Sequence, residues 1–137
     1  VIFDVADEAE TRLAGSDLAT QLRPGDVVLF SGDLGAGKTT MIRGILEGLG
    51  HVGPVRSPTF NLVQIFPTHP PVMHADLYRV SGYQGIGIED YLESHVCLIE
   101  WPDRAEGLVP EEQCWHIQID FLPTGRRIRI REPHSSR

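Results

Sequence analysis

Residues 32 to 39 read Gly-Asp-Leu-Gly-Ala-Gly-Lys-Thr, a glycine-rich run closed by a lysine and a hydroxyl, with the spacing of a phosphate-cradling loop. Small residues in a tight turn let the backbone N–H groups of Gly35, Ala36, Gly37 and Lys38 face inward around phosphates. A helix opening near Gly37 would add the positive end of its dipole. Lys38 then reaches the β- and γ-phosphates and Thr39 offers its hydroxyl to Mg²⁺. The predicted ligand of the whole loop, Asp33 and Leu34 included, is therefore Mg-ATP, with hydrolysis as its expected fate. Lys38 is also the single lysine in the chain, every other cation of its class being arginine. A rigid guanidinium fork does not replace a point charge threaded through a closed loop.

Such a loop needs acids on the metal side. The apolar run Val96-Cys97-Leu98-Ile99 ends on Glu100, which stands at a strand's carboxyl end in the manner of a Walker B acid. Asp76, closing Val72 to Ala75, is its rival. Each alone reads equally as a strand-end acid satisfying nearby backbone donors; beside a phosphate loop, both are expected near the phosphates. Glu100 is assigned to Mg²⁺, directly or through water, and Asp76 to the attacking water or the metal's water shell. The catalytic set is thus Lys38, Asp76 and Glu100, and the metal set Thr39 and Glu100. His74 shares a strand face with Asp76, where it either orients that acid or is a core histidine. Trp101 is either core or an exposed partner anchor. Ser57-Pro58-Thr59-Phe60 reads as a turn leading into a strand, and its hydroxyls are candidates for sensing the γ-phosphate.

The elements that must hold these groups are legible as periodicities. Asp7 to Leu22 reads as a helix, with Ala14, Leu18 and Leu22 at i, i+4 and i+8 and Pro24-Gly25 as its stop. Val27 to Ser31 is a continuous apolar run of buried-strand length directly before the loop, and Met41, Ile42, Ile45, Leu46 and Leu49 repeat with helical period directly after it. Phe60 to Phe66 and Val72 to Leu77 read as two strands joined by the proline-rich turn 67 to 71. Residues 81 to 94 read as short helical pieces broken by glycines, and Trp115 to Phe121 and Arg127 to Arg131 as alternating strands around Pro123-Thr124-Gly125. The predicted fold is α/β: a P-loop NTPase-like three-layer sandwich with a mostly parallel sheet and antiparallel C-terminal strands, occupying residues 1–137 as a single domain.

Composition narrows the classes. A chain of 137 residues with 41% hydrophobic residues suffices for one compact core. No run approaches the roughly 18 apolar residues of a membrane span, and Val1-Ile2-Phe3-Asp4 lacks the basic and apolar regions of a secretion signal, so a cytoplasmic location without a membrane partner is expected. Cys97 and Cys114 lie in apolar strand-like runs without CxxC or His-rich spacing and read as reduced core thiols. The net charge of −7 opposes nucleic-acid wrapping by phosphate neutralisation. Arg127, Arg129 and Arg131 nevertheless alternate with Ile128 and Ile130, which puts three guanidinium groups on one strand face, either a solvated outer face or a phosphate contact.

Taken together, Gly-Asp-Leu-Gly-Ala-Gly-Lys-Thr-Thr (32 to 40), Arg43-Gly44, Ser57-Pro58-Thr59-Phe60, His74-Ala75-Asp76-Leu77-Tyr78-Arg79 and Ile99-Glu100-Trp101-Pro102 resemble the TsaE (YjeE) family. These are the small ATPases of bacterial tRNA threonylcarbamoyladenosine synthesis. The resemblance spans about Asp7 to Arg131. It implies an ATPase that acts with the TsaD and TsaB proteins, and with tRNA only through that complex, supporting repeated threonylcarbamoyl transfer rather than performing it. It also implies Mg²⁺ on Thr39 and Glu100, an essential Asp76, and nucleotide contacts from around Glu8 and from Arg126; Thr40 and Thr59 complete the expected ATP-binding set. The segment Ser81 to Gly87 is shorter than the family's and lacks its acidic helix, and Phe60 stands where tyrosine is common.

Other chemistries share the loop. A GTPase would need an Asn-Lys-x-Asp run, and the single lysine is already committed. A small-molecule kinase stays open as the alternative, because the loop alone does not distinguish a substrate hydroxyl from water as acceptor.

Overall fold

The computed structural model describes residues 1–55 and 62–134. Seven strands form one sheet in the order β1-β7-β6-β2-β5-β4-β3. They comprise β1 (Ile2–Val5), β2 (Val27–Ser31), β3 (Val63–Phe66), β4 (Val72–Asp76), β5 (Val96–Glu100), β6 (Trp115–Phe121) and β7 (Arg126–Arg131). β6, β2, β5 and β4 run parallel. β3 forms a hairpin with β4, and β7 an antiparallel pair with β6 that β1 extends. Composition explains the division. β5 is buried at every position and β4 at all but Asp76, as strands covered on both faces must be. β6 instead alternates buried and half-buried residues.

One face of the sheet carries both helices, α1 (Glu8–Ala19) and α2 (Lys38–Gly48). Met41, Ile42, Ile45 and Leu46 of α2 are fully buried there with Leu18, Val28, Phe30, Leu98 and Ile117. The other face is covered by 3-10 turns at Ile88–Tyr91 and Pro102–Ala105, over Val27, Met73, Ala75 and Ile99. Both cysteines are buried in that second cluster, where the Cys97 thiol donates to Tyr91 O and the Cys114 thiol to Pro110 O, each at 3.5 Å. The α/β sandwich expected from the sequence is thus present, with two helices on one side and short turns on the other.

α1 is shorter than its periodicity predicts, ending at Ala19 with Leu22 in the following turn. Its start is fixed by a reciprocal cap: the Asp7 carboxylate accepts from Glu10 N–H at 3.0 Å, and Glu10 accepts from Ala6 N–H at 2.9 Å. α1 meets α2 at glycines. A Cβ at Gly15 or Gly44 would overlap backbone of the opposite helix, Met41 and Ile45 in the first case and Arg12 in the second. Close helix approach, more than an apolar stripe, defines this interface.

The arginine strand is occupied on its own surface. Arg127 forks onto Asp4 of β1 at 2.8 and 3.2 Å, which holds the Asp4 carboxyl below and the Arg127 guanidinium above their ordinary values. Arg129 lies 4.0 Å from Asp120 of β6. Arg127 and Arg129 thus face acids of the neighbouring strands, with Ile128 turned to the core. No helix among the described residues is long and apolar enough to cross a membrane.

Candidate functional site

The carboxyl ends of β2, β5 and β4 lie side by side, and three chemical groups end there. β2 leads into the loop, which turns back at Gly37 (φ 116), a left-handed conformation open to glycine without strain. Gly37 caps α2 with no side-chain bond, and the first residues of the helix, Lys38, Thr39 and Thr40, line the cavity with the positive end of the helix dipole toward it. Lys38 is buried at the first helical position, and its ammonium donates to the Gly32 carbonyl across the loop. On the neighbouring strands Asp76 and Glu100 are register partners, so the ladder itself brings the two predicted acids together.

A cavity of about 310 Å³ is lined by Leu34, Gly35, Gly37, Lys38, Thr39, Thr40, Asp76 and Glu100, with Glu8, Tyr78 and Trp101 at its edges. The Thr39 hydroxyl lies 3.4 and 3.5 Å from the two Glu100 oxygens, long for a direct hydrogen bond. Burial pushes the Lys38 ammonium below its ordinary value, against the opposing pull of Glu100, Asp76 and Asp33. Burial and then the Glu100 charge raise the Asp76 carboxyl, although Tyr78 N–H donates to it at 3.1 Å. An acid held partly toward its neutral form, facing a hydroxyl, a carboxylate and a cation, is suited to proton handling at a phosphate. The donor set also fits Mg²⁺. Among the described residues no group of three or more His, Cys, Asp and Glu forms a metal cage. Mg²⁺ needs none, because it binds through one or two carboxylates plus hydroxyl, water and phosphate oxygens.

A second cavity of about 320 Å³ adjoins the outer side of the loop, lined by Glu8, Gly35, Ala36, Gly37, Thr40 and Arg126 together with Ala6, Asp7, Thr11 and Gly125. Arg126 donates from Nε to Ala36 O at 3.1 Å and from one terminal nitrogen to Gly125 O at 2.8 Å. Its guanidinium carbon lies 4.3 Å from the Phe121 ring centroid. The capped start of α1 and the β6–β7 turn thus flank the loop, and Glu8 and Arg126 are brought to it from opposite ends of the chain. Larger grooves of about 750 and 1140 Å³ lie beside α1 and at the other end of the sheet, and neither includes any part of the glycine loop.

Of the predicted site residues, Asp33 is exposed on the loop and lines neither cavity; its carbonyl accepts from Ala36 N–H at 3.0 Å, and its charge acts on Lys38. Thr59 and its neighbours lie outside the described residues. His74 is fully buried and directs Nε2 to Glu100 at 2.8 Å, so it serves Glu100 where the sequence reading paired it with Asp76. Residues two apart on one strand stand about 7 Å apart, whereas the diagonal neighbour on the next strand is within reach of long side chains. Trp101, left open between core and partner surface, lies with its ring centroid 3.8 Å from the Lys38 ammonium and 4.8 Å from the Tyr78 ring. It is the non-glycine residue with positive φ (62°) among those described, and that left-handed turn carries the indole back over the loop.

The TsaE family model, described as threonylcarbamoyl adenosine biosynthesis protein TsaE, matches residues 5–128. The chain belongs to the TsaE family. It is 40% identical to the Haemophilus influenzae tRNA threonylcarbamoyladenosine biosynthesis protein TsaE over 76% of this chain and 68% of that protein. Its identity to the Streptomyces coelicolor TsaE is 44% over 80% of this chain and 78% of that protein. The crystal structure of Bacillus subtilis YdiB superimposes with a TM-score of 0.80 at 31% identity, over 93% of this chain and 82% of that one. The matched span contains both cavities' lining residues, from Val5 at the end of β1 to Ile128 in β7. TsaE membership therefore attaches the role in tRNA threonylcarbamoyladenosine biosynthesis to a fold whose strand ends converge on one cavity at the glycine loop.

Proposed function

We propose that this TsaE protein is a Mg²⁺-dependent ATPase that supports turnover by TsaD and TsaB in tRNA threonylcarbamoyladenosine modification, meeting tRNA only through that complex. The observation that carries the reading is the convergence of Lys38, Thr39, Asp76 and Glu100 on one cavity at the end of the parallel strands. Lys38 and the N–H groups at the start of α2 hold the phosphates. Glu8, Thr40 and Arg126 bound the adjoining cavity where the nucleoside end is accommodated. Mg²⁺, held by Thr39 and Glu100, would neutralise developing phosphate charge. Asp76, raised toward protonation, accepts a hydrogen bond from the attacking water and places it. Trp101 must leave Lys38 when the phosphates arrive, since the ammonium is already covered by its ring.

The test is ATP hydrolysis by the protein alone and with the TsaB–TsaD pair of its organism, beside Lys38→Ala. Turnover raised by the pair and absent in the variant supports the reading. No effect of the pair, with a small acceptor becoming phosphorylated instead, would transfer the site to a kinase.

A further inference from the structure

His74 stands apart from the rest of the core. It is fully buried in β4, with Met73 and Ala75 beside it along the strand and Gln64 and Leu98 as its register partners, and its Nδ1 has no hydrogen-bond partner among the described residues. As packing alone it is a poor choice, because an apolar side chain of similar size would fill the space without an orphaned polar atom. What it contributes is the other nitrogen, 2.8 Å from Glu100 Oε2. A carboxylate only accepts, so the proton of this pair is on Nε2. That bond fixes one oxygen of a side chain that is itself almost wholly buried, and turns the carboxylate so that both oxygens lie at nearly equal distance from the Thr39 hydroxyl.

We infer that His74 is the positioning residue for Glu100, its Nε2–H holding the carboxylate in the orientation in which it and Thr39 together receive the metal of a metal–nucleotide complex. The inference rests on the Mg-ATP reading above and adds a residue outside the loop and its two acids. Hydrogen bonds to a ligating carboxylate set its orientation and basicity, and losing one commonly lowers metal affinity ten- to a hundredfold. His74 lines neither cavity, so nucleotide binding without metal should be indifferent to it.

The experiment uses Mn²⁺ as the probe. Free Mn²⁺ is followed by electron paramagnetic resonance in the presence of ADP, for the natural protein and for His74→Gln, His74→Asn and His74→Leu. ADP affinity in EDTA and thermal unfolding are measured alongside. Glutamine places an amide N–H near the position of Nε2, whereas the asparagine amide falls short of it. The expected result is Mn²⁺ affinity lowered about ten- to a hundredfold in the Asn and Leu variants and largely recovered in Gln, with metal-free ADP affinity unchanged throughout. Equal Mn²⁺ affinity in all four proteins would reduce His74 to a core residue. Gln as weak as Asn would show that shape, not the donor, matters. Should Leu fail to fold, the Gln and Asn pair still decides the question. Failure of the natural protein to bind ADP even in EDTA would instead sink the underlying nucleotide reading.

Discussion

Replacing Gly44 with alanine tests whether the site depends on the close approach of α1 to α2. The added methyl would lie 2.8 Å from both Cα and the carbonyl carbon of Arg12, and closer still to the Arg12 oxygen. These are backbone atoms, so no rotamer change relieves the overlap, and α1 must withdraw by roughly 1 Å to reach ordinary carbon–carbon contact. A gap of that size forfeits about a quarter to a half of each dispersion contact across it, and overpacked interiors lose about 1–3 kcal/mol. Helix propensity acts the other way, favouring alanine over glycine by about 1 kcal/mol. Because the obstruction is backbone, the upper part of the overpacking range applies and the net loss is about 1–2 kcal/mol. Urea unfolding should show a lower midpoint with an unchanged slope. Titration with a non-hydrolysable ATP analogue should show weaker binding, because Glu8 and Thr11 of α1 line the second cavity. Gly48→Ala, which meets the Ala19 methyl at 2.8 Å and Ser16 backbone at 3.0 Å, should lose less. A Gly44→Ala protein as stable as the natural one would refute the argument, since propensity would then outweigh packing at this crossing.

The remaining predictions concern the cavity itself. Asp76 has its carboxyl raised in the folded protein, so its ionised form opposes folding: stability is greatest below the unfolded value and declines as pH rises through the folded one. Asp76→Asn should therefore melt higher than the natural protein at neutral pH and lose that part of the pH dependence, while hydrolysis is abolished; a lower melting temperature at neutral pH would contradict the sign. Hydrolysis by the natural protein should fall on acidification already above the ordinary carboxylate range, as Asp76 becomes protonated. Trp101 should change its emission when nucleotide takes Lys38, and Trp101→Phe should remove the change, since the other tryptophan, Trp115, is buried in the helix-side core. Trp101→Ala releases a cation–π contact of about 0.5–2 kcal/mol and should tighten ATP-analogue binding roughly two- to thirtyfold; weaker binding would mean that the indole instead supports the nucleotide. Arg126→Ala removes a guanidinium bond to Ala36 O and should weaken nucleotide binding about tenfold, read by calorimetry.

What could be read from the sequence divides by the range over which its signal acts. The loop, β2 and α2 are contiguous, and the loop's spacing together with an apolar run before it and a helical period after it predicts them closely. Glu100 and Asp76 were legible because a strand's last residue is visible locally, and parallel register then places two such ends together. β1 was not, because its four residues alternate too briefly to be distinctive and find their partner in β7, at the far end of the chain. The α1–α2 crossing is written in Gly15 and Gly44, residues that lower helix propensity and add nothing to a hydrophobic pattern, so their purpose is visible only once both helices are placed. His74 and Trp101 belong to the same class. Each was visible as a residue, but the choice of partner, Glu100 and Lys38, depended on a diagonal across two strands and on a left-handed turn after β5.

These relational residues share a physical trait, which is that each is locally unfavourable where it stands. Trp101 holds a backbone conformation that side chains disfavour, His74 buries a nitrogen without a partner among the described residues, Asp76 is held away from its ordinary ionisation, and Lys38 is desolvated. All four lie in or directly behind one cavity of about 310 Å³. Strain scattered over a fold would be an accident of packing. Strain gathered around a phosphate loop is what a site shows when its groups are arranged for a ligand that would relieve them, by taking the lysine's charge, displacing the indole and drawing the carboxylates onto a cation. The stabilisation that Mg-ATP confers should therefore exceed that of ATP in EDTA, and Glu100→Gln should erase the difference while leaving the metal-free increment intact. Thermal shifts of the two proteins under the two conditions measure it directly. Equal shifts with and without Mg²⁺ in the natural protein would mean that the carboxylates are not relieved by a metal, and that their clustering has another cause.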